Sequence, residues 1–323
     1  MTAAAAVSDA QMTGIEQIPT FTMSDFEANK TEFARELGEG FVRFGFVGLQ
    51  DHGISDELLA ETRAAMAEFF ALPNEVKAQY HAPGTGGARG YTGFGIETAK
   101  DSKHADLKEF YHVGREIAGA PPHPALLPNI WPEEAASFKP AMMRMYDALD
   151  TLGNRVLSAL SLYLGEAEEF FADKVNYGNS ILRPLHYPPI TDLETKSVRA
   201  GAHEDINLIT LLVGSNEPGL EILANDGTWI PVTTIEGTIV CNIGDMMQRL
   251  TNHVLPSTTH RVNNPPGEHR LQPRYSIPFF HHFNPDYLIE GLSQCITEEN
   301  PRRYDPMTSE DYLMQRLREI KLI

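Results

Sequence analysis

The sequence predicts a mixed α and β protein, with helices from its N-terminal part and its C-terminus flanking an antiparallel barrel or double-sheet jelly roll. Three observations lead there. Apolar residues in the first part, and again between about residues 134 and 164, recur at helical spacing. After Lys174 the texture changes to short alternating or β-branched runs separated by turn residues, the pattern of barrels and sandwiches. With 323 residues, 42% hydrophobic and 22% charged, the chain has the composition of a soluble globular protein and can bury a large core without a disulfide or metal staple.

In chain order, residues 1–15 read as a flexible tail. Asp25 to Glu39 patterns as a helix, and Phe41 to Leu49, alternating and aromatic, as a strand. Ser55 followed by Asp56 and Glu57 caps a second helix, whose Leu58, Leu59, Met66, Phe69 and Phe70 share one broad face before Leu72-Pro73 ends it. Residues 82–95 are rich in glycine but lack the Lys-Ser/Thr ending of a phosphate loop, so they read as a loop beside a cleft. Prolines 121, 122, 124 and 128 mark an irregular stretch before a long helix from about Glu134 to Leu164. Strands are predicted at Ser180–Tyr187, Ile206–Val213, Leu220–Leu223, Trp229–Val232, Thr238–Ile243 and Tyr275–His281, with a polar helix closing the chain at Ser309–Lys321.

The net charge is −18, with 26 Lys and Arg against 44 Asp and Glu. That balance argues against nucleic acid or an anionic membrane as partner, since a phosphate-binding surface needs clustered cations and the densest pair here is Arg302-Arg303. The N-terminus lacks a cationic leader pattern, and no stretch is long and apolar enough to span a bilayer. Two well-separated cysteines, Cys241 and Cys295, fit a reducing compartment, so a cytoplasmic protein is expected; the sequence leaves the oligomeric state open.

The chemistry concentrates at Gly201-Ala-His203-Glu-Asp205. On a strand, positions i and i+2 share a face, so His203 and Asp205 are expected to point the same way. An imidazole and a carboxylate together supply two thirds of a 2-His-1-carboxylate triad, which suits Fe(II) because positions stay open for substrate and O2. The third ligand must come from a distant histidine. His260, in Thr-Thr-His260-Arg-Val, stands at a strand entrance; His253, His281 and His282 are alternatives, and His186 reads as strand packing. Arg274 and Ser276 share a face of another strand by the same rule. A guanidinium and a hydroxyl together can anchor a carboxylate, although that pair taken alone reads as a local ion pair.

Together these residues resemble the Fe(II)/2-oxoglutarate-dependent oxygenase superfamily, in its isopenicillin N synthase-like branch. The resemblance spans most of the chain. It runs from Gly40-Phe-Val-Arg-Phe-Gly-Phe-Val, Asp51-His-Gly-Ile54 and Asp106-Leu-Lys-Glu-Phe110 to Leu182-Arg-Pro-Leu-His-Tyr187-Pro-Pro, His203-x-Asp205, Gly219-Leu-Glu-Ile-Leu and Gly227-Thr-Trp-Ile-Pro-Val. It continues through Asn242-Ile-Gly-Asp245, Thr251-Asn252, His260-Arg-Val, Arg274-x-Ser276 and Phe279-Phe280. The family context of Arg261-Val262 favours His260 as the third ligand.

The resemblance implies a double-stranded β-helix (jelly-roll) core over 121–323 with the helix 134–164 packed on it, led by a helical and strand region at 16–120, in one compact unit. It implies that His203, Asp205 and His260 bind iron, that Arg274 and Ser276 hold the distal carboxylate of 2-oxoglutarate, and that Tyr187 adds a hydrogen bond. Leu185 stands where plant members often carry Asn, and Glu204 replaces a commoner Thr or Ser and is expected to point off the metal. The intact carboxylate at 205 argues for hydroxylation, desaturation or ring closure over halogenation. The implied reaction consumes O2 and 2-oxoglutarate, releases succinate and CO2, and oxidises an unactivated C–H bond in a water-poor pocket. Tyr91, Phe94, Phe110, His112 and Phe280 are candidate substrate-lining residues. Two other readings stay open: an iron oxidative cyclase that uses no 2-oxoglutarate, and a non-catalytic barrel binding module.

Overall fold

Alternation of side chains along three central strands sets the architecture. The computed structural model describes residues 17–85, 87–98, 104–192, 194–214, 219–224, 226–232 and 237–319. In order, the chain forms β1 (Thr20–Thr22), α1 (Met23–Ala28), α2 (Lys30–Phe44), β2 (Phe46–Gln50), α3 (Asp56–Phe70), α4 (Asn74–Lys77), β3 (Gly90–Thr92), β4 (Glu109–Gly114) and α5 (Phe138–Tyr163). Then follow α6 (Ala172–Val175), β5 (Ile181–Leu182), β6 (Leu185–Tyr187), β7 (Ala200–His203), β8 (Ile209–Val213), β9 (Leu220–Leu223), β10 (Trp229–Pro231), β11 (Ile239–Ile243) and α7 (Asp245–Leu250). The strands β12 (His260–Val262) and β13 (Arg274–His281) precede the closing helix α8 (Ser309–Glu319).

A nine-stranded sheet runs β1-β2-β11-β8-β13-β5-β4-β3, with β6 joining between β13 and β4; a four-stranded sheet runs β10-β9-β12-β7. Together they make the jelly-roll core. Ile209, Leu211 and Val213, Ile239, Cys241 and Ile243, and Ile277 and Phe279 turn one face of the large sheet toward α2, α3 and α5 in the main apolar core. The other face lies against the small sheet, where Phe46, Val240 and Leu212 meet Ala200, Leu220, Ile222 and Val262. Strands from before residue 120 and after residue 180 share the large sheet: β2 pairs with β11, and β4 with β5 and β6. No helix among the described residues is long and apolar enough to cross a membrane.

Several element boundaries differ from the sequence expectation, each for a local reason. The helix expected at 25–39 is two helices, divided at Asn29, whose side chain accepts from the Glu32 backbone N–H. The second runs on to Phe44 through part of the expected strand, because Phe41 continues the buried stripe of Phe33 and Leu37 at i+4 spacing. Gly45, at φ 67°, then turns the chain into β2. The long helix starts at Phe138, not Glu134. An earlier start would bury Pro140 in the helix interior, where it lacks a donor and its ring clashes with the preceding turn. Arg183-Pro184 interrupts the expected strand 180–187. Gly86, the tail 1–15 and the last residues of the closing helix lie outside the described residues.

Gly45 is a joint between the two halves. Its N–H donates to Phe41 O at 2.7 Å and its carbonyl accepts from Ile243 at 3.0 Å, while the Thr258 hydroxyl caps Phe44 O at 3.0 Å. A Cβ here would stand 2.1 Å from Thr258 Oγ1, in a backbone region that side chains disfavour. Gly45→Ala is therefore expected to destabilise the fold by about 2–4 kcal/mol. Urea unfolding followed by circular dichroism measures this; an unchanged midpoint would show that the joint relaxes freely.

Candidate active site

Three side chains converge at the open end of the barrel. His203 ends β7 and His260 begins β12, and these residues are register partners across the small sheet. Asp205 is not on β7, contrary to the i, i+2 expectation. It lies two residues past the strand end, where the chain crosses from the small sheet to the large one. Its carbonyl accepts from the Asp245 N–H at 2.7 Å, which fixes the crossing segment. Asp205 Oδ1 lies 3.8 Å from His203 Nε2 and 3.9 Å from His260 Nε2, and the donor atoms of the three residues all fall within 4.8 Å of one another.

The remaining polar atoms of these residues are engaged in ways that aim the converging ones. His203 Nδ1 contacts Gly201 O at 2.8 Å and His260 Nδ1 contacts Thr258 O at 3.1 Å. Since a carbonyl only accepts, each Nδ1 carries the proton and each Nε2 presents a lone pair inward. Asp205 Oδ2 accepts from Thr210 Oγ1 at 2.6 Å and Asn242 Nδ2 at 2.9 Å, leaving Oδ1 for the centre. Thr210 and Asn242 are register partners, in a row that also contains Phe280 on one side and Phe46 on the other. Phe46 packs edge-on against His260, with ring centroids 5.2 Å apart. Sequence reading quoted Asn242 only within a motif and missed Thr210; the signal was their shared inward parity on two strands that lie side by side in the sheet. Glu204, expected to point away without consequence, accepts from Thr259 Oγ1 at 2.9 Å and so ties the two histidine-bearing segments together.

Arg274 and Ser276 lie on the inner face of β13 and are buried, with Tyr187 and Leu185 as their respective register partners on β6. The Arg274 guanidinium carbon stands 5.8 Å from the Tyr187 ring centroid. The other histidines are elsewhere. His281 faces α5, with Nε2 3.4 Å from Asp150; His253 stacks on Tyr304; His186 contacts Glu109 at 2.7 Å. His282 lines the cavity wall without joining the three.

A cavity of about 970 Å³ opens beside His203 and Asp205. Phe110, His112 and Phe280 are among its lining residues. Tyr91 and Phe94 are not among its lining residues. Tyr91 instead turns into the core and donates to the buried Glu109, which also pairs with Lys77, because odd-numbered β4 positions face away from the cavity. Phe94 is 52% exposed on the loop after β3.

The chain matches two family models: the N-terminal domain of non-haem dioxygenases in morphine synthesis over residues 18–134, and the 2OG-Fe(II) oxygenase superfamily over residues 174–283. The 2-oxoglutarate-Fe(II) type oxidoreductase hxnY of Emericella nidulans is 34% identical over 297 residues, covering 88% of this chain and 83% of that protein. Among solved structures, a Caulobacter crescentus protein assigned to the 2OG-Fe(II) oxygenase family is 48% identical, with a TM-score of 0.86, covering 95% of this chain and 99% of that one. A full-length Neurospora crassa protein, solved in complex with alpha-KG and thymine, is 32% identical, with a TM-score of 0.83, covering 93% and 96%. Relatives named for 2-oxoglutarate, or holding it, do not favour the cyclase alternative.

Burial keeps the imidazoles of His203, His281 and His282 neutral. Withdrawal from water pushes His203 down to about 4, with His260 beside it adding to the effect; burial takes His281 to about 4 and His282 to about 3. Burial opposes the charge on Asp205, but His260, His203, Thr210 and Asn242 together hold its carboxyl below the usual range. The unfolded chain takes up protons at these histidines below their ordinary 6.5, while the folded metal-free chain refuses them until about pH 4. Stability is thus lost as pH falls through that window. Asp245, raised to about 6 chiefly by burial, works in the opposite direction. The urea midpoint of the metal-free protein is expected to fall between pH 7 and pH 5; a flat profile would mean that the imidazoles charge without unfolding.

Proposed function

This chain belongs to the Fe(II)/2-oxoglutarate oxygenase superfamily, and from that premise we propose that it oxidises a C–H bond of a small organic molecule, by hydroxylation or desaturation, at an iron held by His203, Asp205 and His260. The observation that carries this reading is the convergence of Nε2, Oδ1 and Nε2 within 4.8 Å, with the opposite atoms of all three side chains already engaged. Two neutral imidazoles and one carboxylate fit Fe(II) and leave neighbouring positions open. When bound, Fe(II) would activate O2, the oxidant, with 2-oxoglutarate supplying two electrons as it becomes succinate and CO2 and the substrate supplying the other two.

The chain's own part is ligation, orientation and exclusion of water. Gly201 O and Thr258 O fix the tautomer and ring direction of the two histidines, while Thr210 and Asn242 stop the Asp205 carboxylate from turning. On this reading Arg274 and Ser276 receive the distal carboxylate of 2-oxoglutarate, with Tyr187 beside them. Leu185, the register partner of Ser276, offers that cosubstrate an apolar contact. Phe110 and Phe280 dry the adjoining cavity, whose volume of about 970 Å³ has room for a small organic molecule beside the metal site. The thymine and 5-formyluracil complexes of the Neurospora crassa neighbour support a substrate of that size. We read 16–120 as the leading region and 121–323 as the catalytic core, and place the protein in the cytoplasm, which its two free, buried cysteines support.

Anaerobic addition of Fe(II) and 2-oxoglutarate to the metal-free protein is expected to give a visible metal-to-ligand charge-transfer band. A folded protein without the band would end the reading, and His260→Ala should abolish it. Arg274→Ala is expected to raise the half-saturating 2-oxoglutarate concentration about 30-fold or more, for loss of a charge-assisted pair. Thr210→Val combined with Asn242→Leu should weaken iron binding about 10-fold or more while leaving the fold intact, measured by competition with a chelator.

A further inference from the structure

Among the described residues, three cations line the cavity beside the three converging side chains, Lys108, Arg183 and Arg316; Arg316 is paired with Asp245 and Glu319, and the reaction described above uses neither Lys108 nor Arg183. Lys108 precedes β4 and Arg183 follows β5, and both line the cavity together with Glu97, His203 and Asp205. Glu97 sits between the cations: its Oε2 lies 2.6 Å from Lys108 Nζ and 3.7 Å from Arg183 Nη1. Lys108 has a second carboxylate, Asp106, at 2.9 Å. Asp106 has a structural duty of its own, since its Oδ1 accepts from the Gly201 N–H at 3.1 Å, beside the carbonyl that orients His203.

Arg183 is braced as a rigid plate. Its guanidinium carbon stands 4.6 Å from the Phe110 ring centroid and 4.8 Å from that of Phe280. Its Nε donates to His112 Nε2, and His112 Nδ1 donates in turn to Gly87 O. With its Nε edge engaged and aromatic rings stacked against it, the guanidinium presents its Nη edge, which matches the planar acceptor pair of a carboxylate. In the structure that edge faces a carboxylate from the chain itself. Glu97 comes from the loop after β3, outside either sheet; its carbonyl accepts from the Asp106 N–H at 3.0 Å, so displacing its carboxylate calls only for rotation of the side chain. Buried cations need a compensating anion, and Glu97 supplies one in the absence of substrate.

We propose that Lys108 and Arg183 form the subsite for a carboxylate on the primary substrate, and that Glu97 is its internal stand-in, displaced when the substrate enters. The substrates are then small organic acids, oxidised at a carbon on the side of the molecule nearer His203 and Asp205. This deepens the oxygenase reading and rests on it. The subsite is separate from the Arg274–Ser276 pair assigned to 2-oxoglutarate, so the two acids bind together.

The test is anaerobic calorimetric titration of the protein loaded with Fe(II) and saturating 2-oxoglutarate. The probes are matched acids and primary amides: butyrate, benzoate, phenylacetate and indole-3-acetate against butyramide, benzamide, phenylacetamide and indole-3-acetamide. At least one acid is expected to bind about 10-fold or more tighter than its amide, and Arg183→Leu to remove the difference. Glu97→Gln, with Glu97→Ala as a second variant and melting curves to check folding, is expected to tighten acid binding about 10-fold while leaving amides unmoved. The proposal is overturned if amides match acids throughout, if no acid binds either Glu97 variant, or if the acids bind only by expelling 2-oxoglutarate. The charge-transfer band, followed in the same samples, separates the two failures. Its absence ends the oxygenase reading, whereas its presence without acid preference ends only this proposal.

Discussion

Register in the large sheet is the constraint on which the rest depends. One row crosses four strands, Phe46, Asn242, Thr210 and Phe280, and every member faces the small sheet. Phe46 buttresses His260, Asn242 and Thr210 hold Asp205, and Phe280 stacks on Arg183. A slip of one residue in β8 would exchange Thr210 for Leu211 and turn a hydroxyl into the helical core. The apolar partners Ile209, Leu211 and Val213 forbid that slip, because they are fully buried or nearly so against α5 and its neighbours. Packing on the far face of the sheet therefore fixes polar geometry on the near one.

The site is assembled from both sheets. The small sheet supplies the two imidazoles in register, and the carboxylate sits on the crossing between sheets. That placement explains why Asp205 is held by so many bonds. A crossing segment has no ladder of its own, so Asp245, Thr210 and Asn242 provide the restraint that strand pairing gives His203 and His260. Glu204 adds a tie to Thr259, next to His260.

How much of this was legible in the sequence depended on whether the signal was local. The pairing of His203 with Asp205, the late His260, and the parity of Arg274 and Ser276 were readable because each is a short-range pattern or lies within a recurring motif. Phe110 and Phe280, named only as candidate lining residues, do line the cavity. Tyr91 and Phe94 went astray because aromatic character alone does not fix a face. Tyr91 is the register partner of Tyr111, on the core side of β4, and Phe94 lies beyond the strand end. The start of α5 turned on a single residue, Pro140, whose veto outweighs an apolar pattern, whereas α2 ran past its expected end because Phe41 extends its buried stripe, and stopped at Gly45. The roles of Thr210, Asn242 and Glu97 depend on partners at least eleven positions away or on strand order, neither of which periodicity encodes, except that Thr210 reaches Asp205 across a tight crossing.

Thr258 occupies an unusual crossroads. Its hydroxyl closes the last turn of α2 while its carbonyl receives the His260 ring, so one residue belongs both to an N-terminal helix and to an imidazole at the reaction centre. The boundary visible between the two family segments is thus not a mechanical boundary. Trimming the leading region to isolate a minimal barrel would unseat a ring that the barrel's own strand carries, and grafting a foreign leader would have to reproduce a helix end and not merely a hydrophobic face.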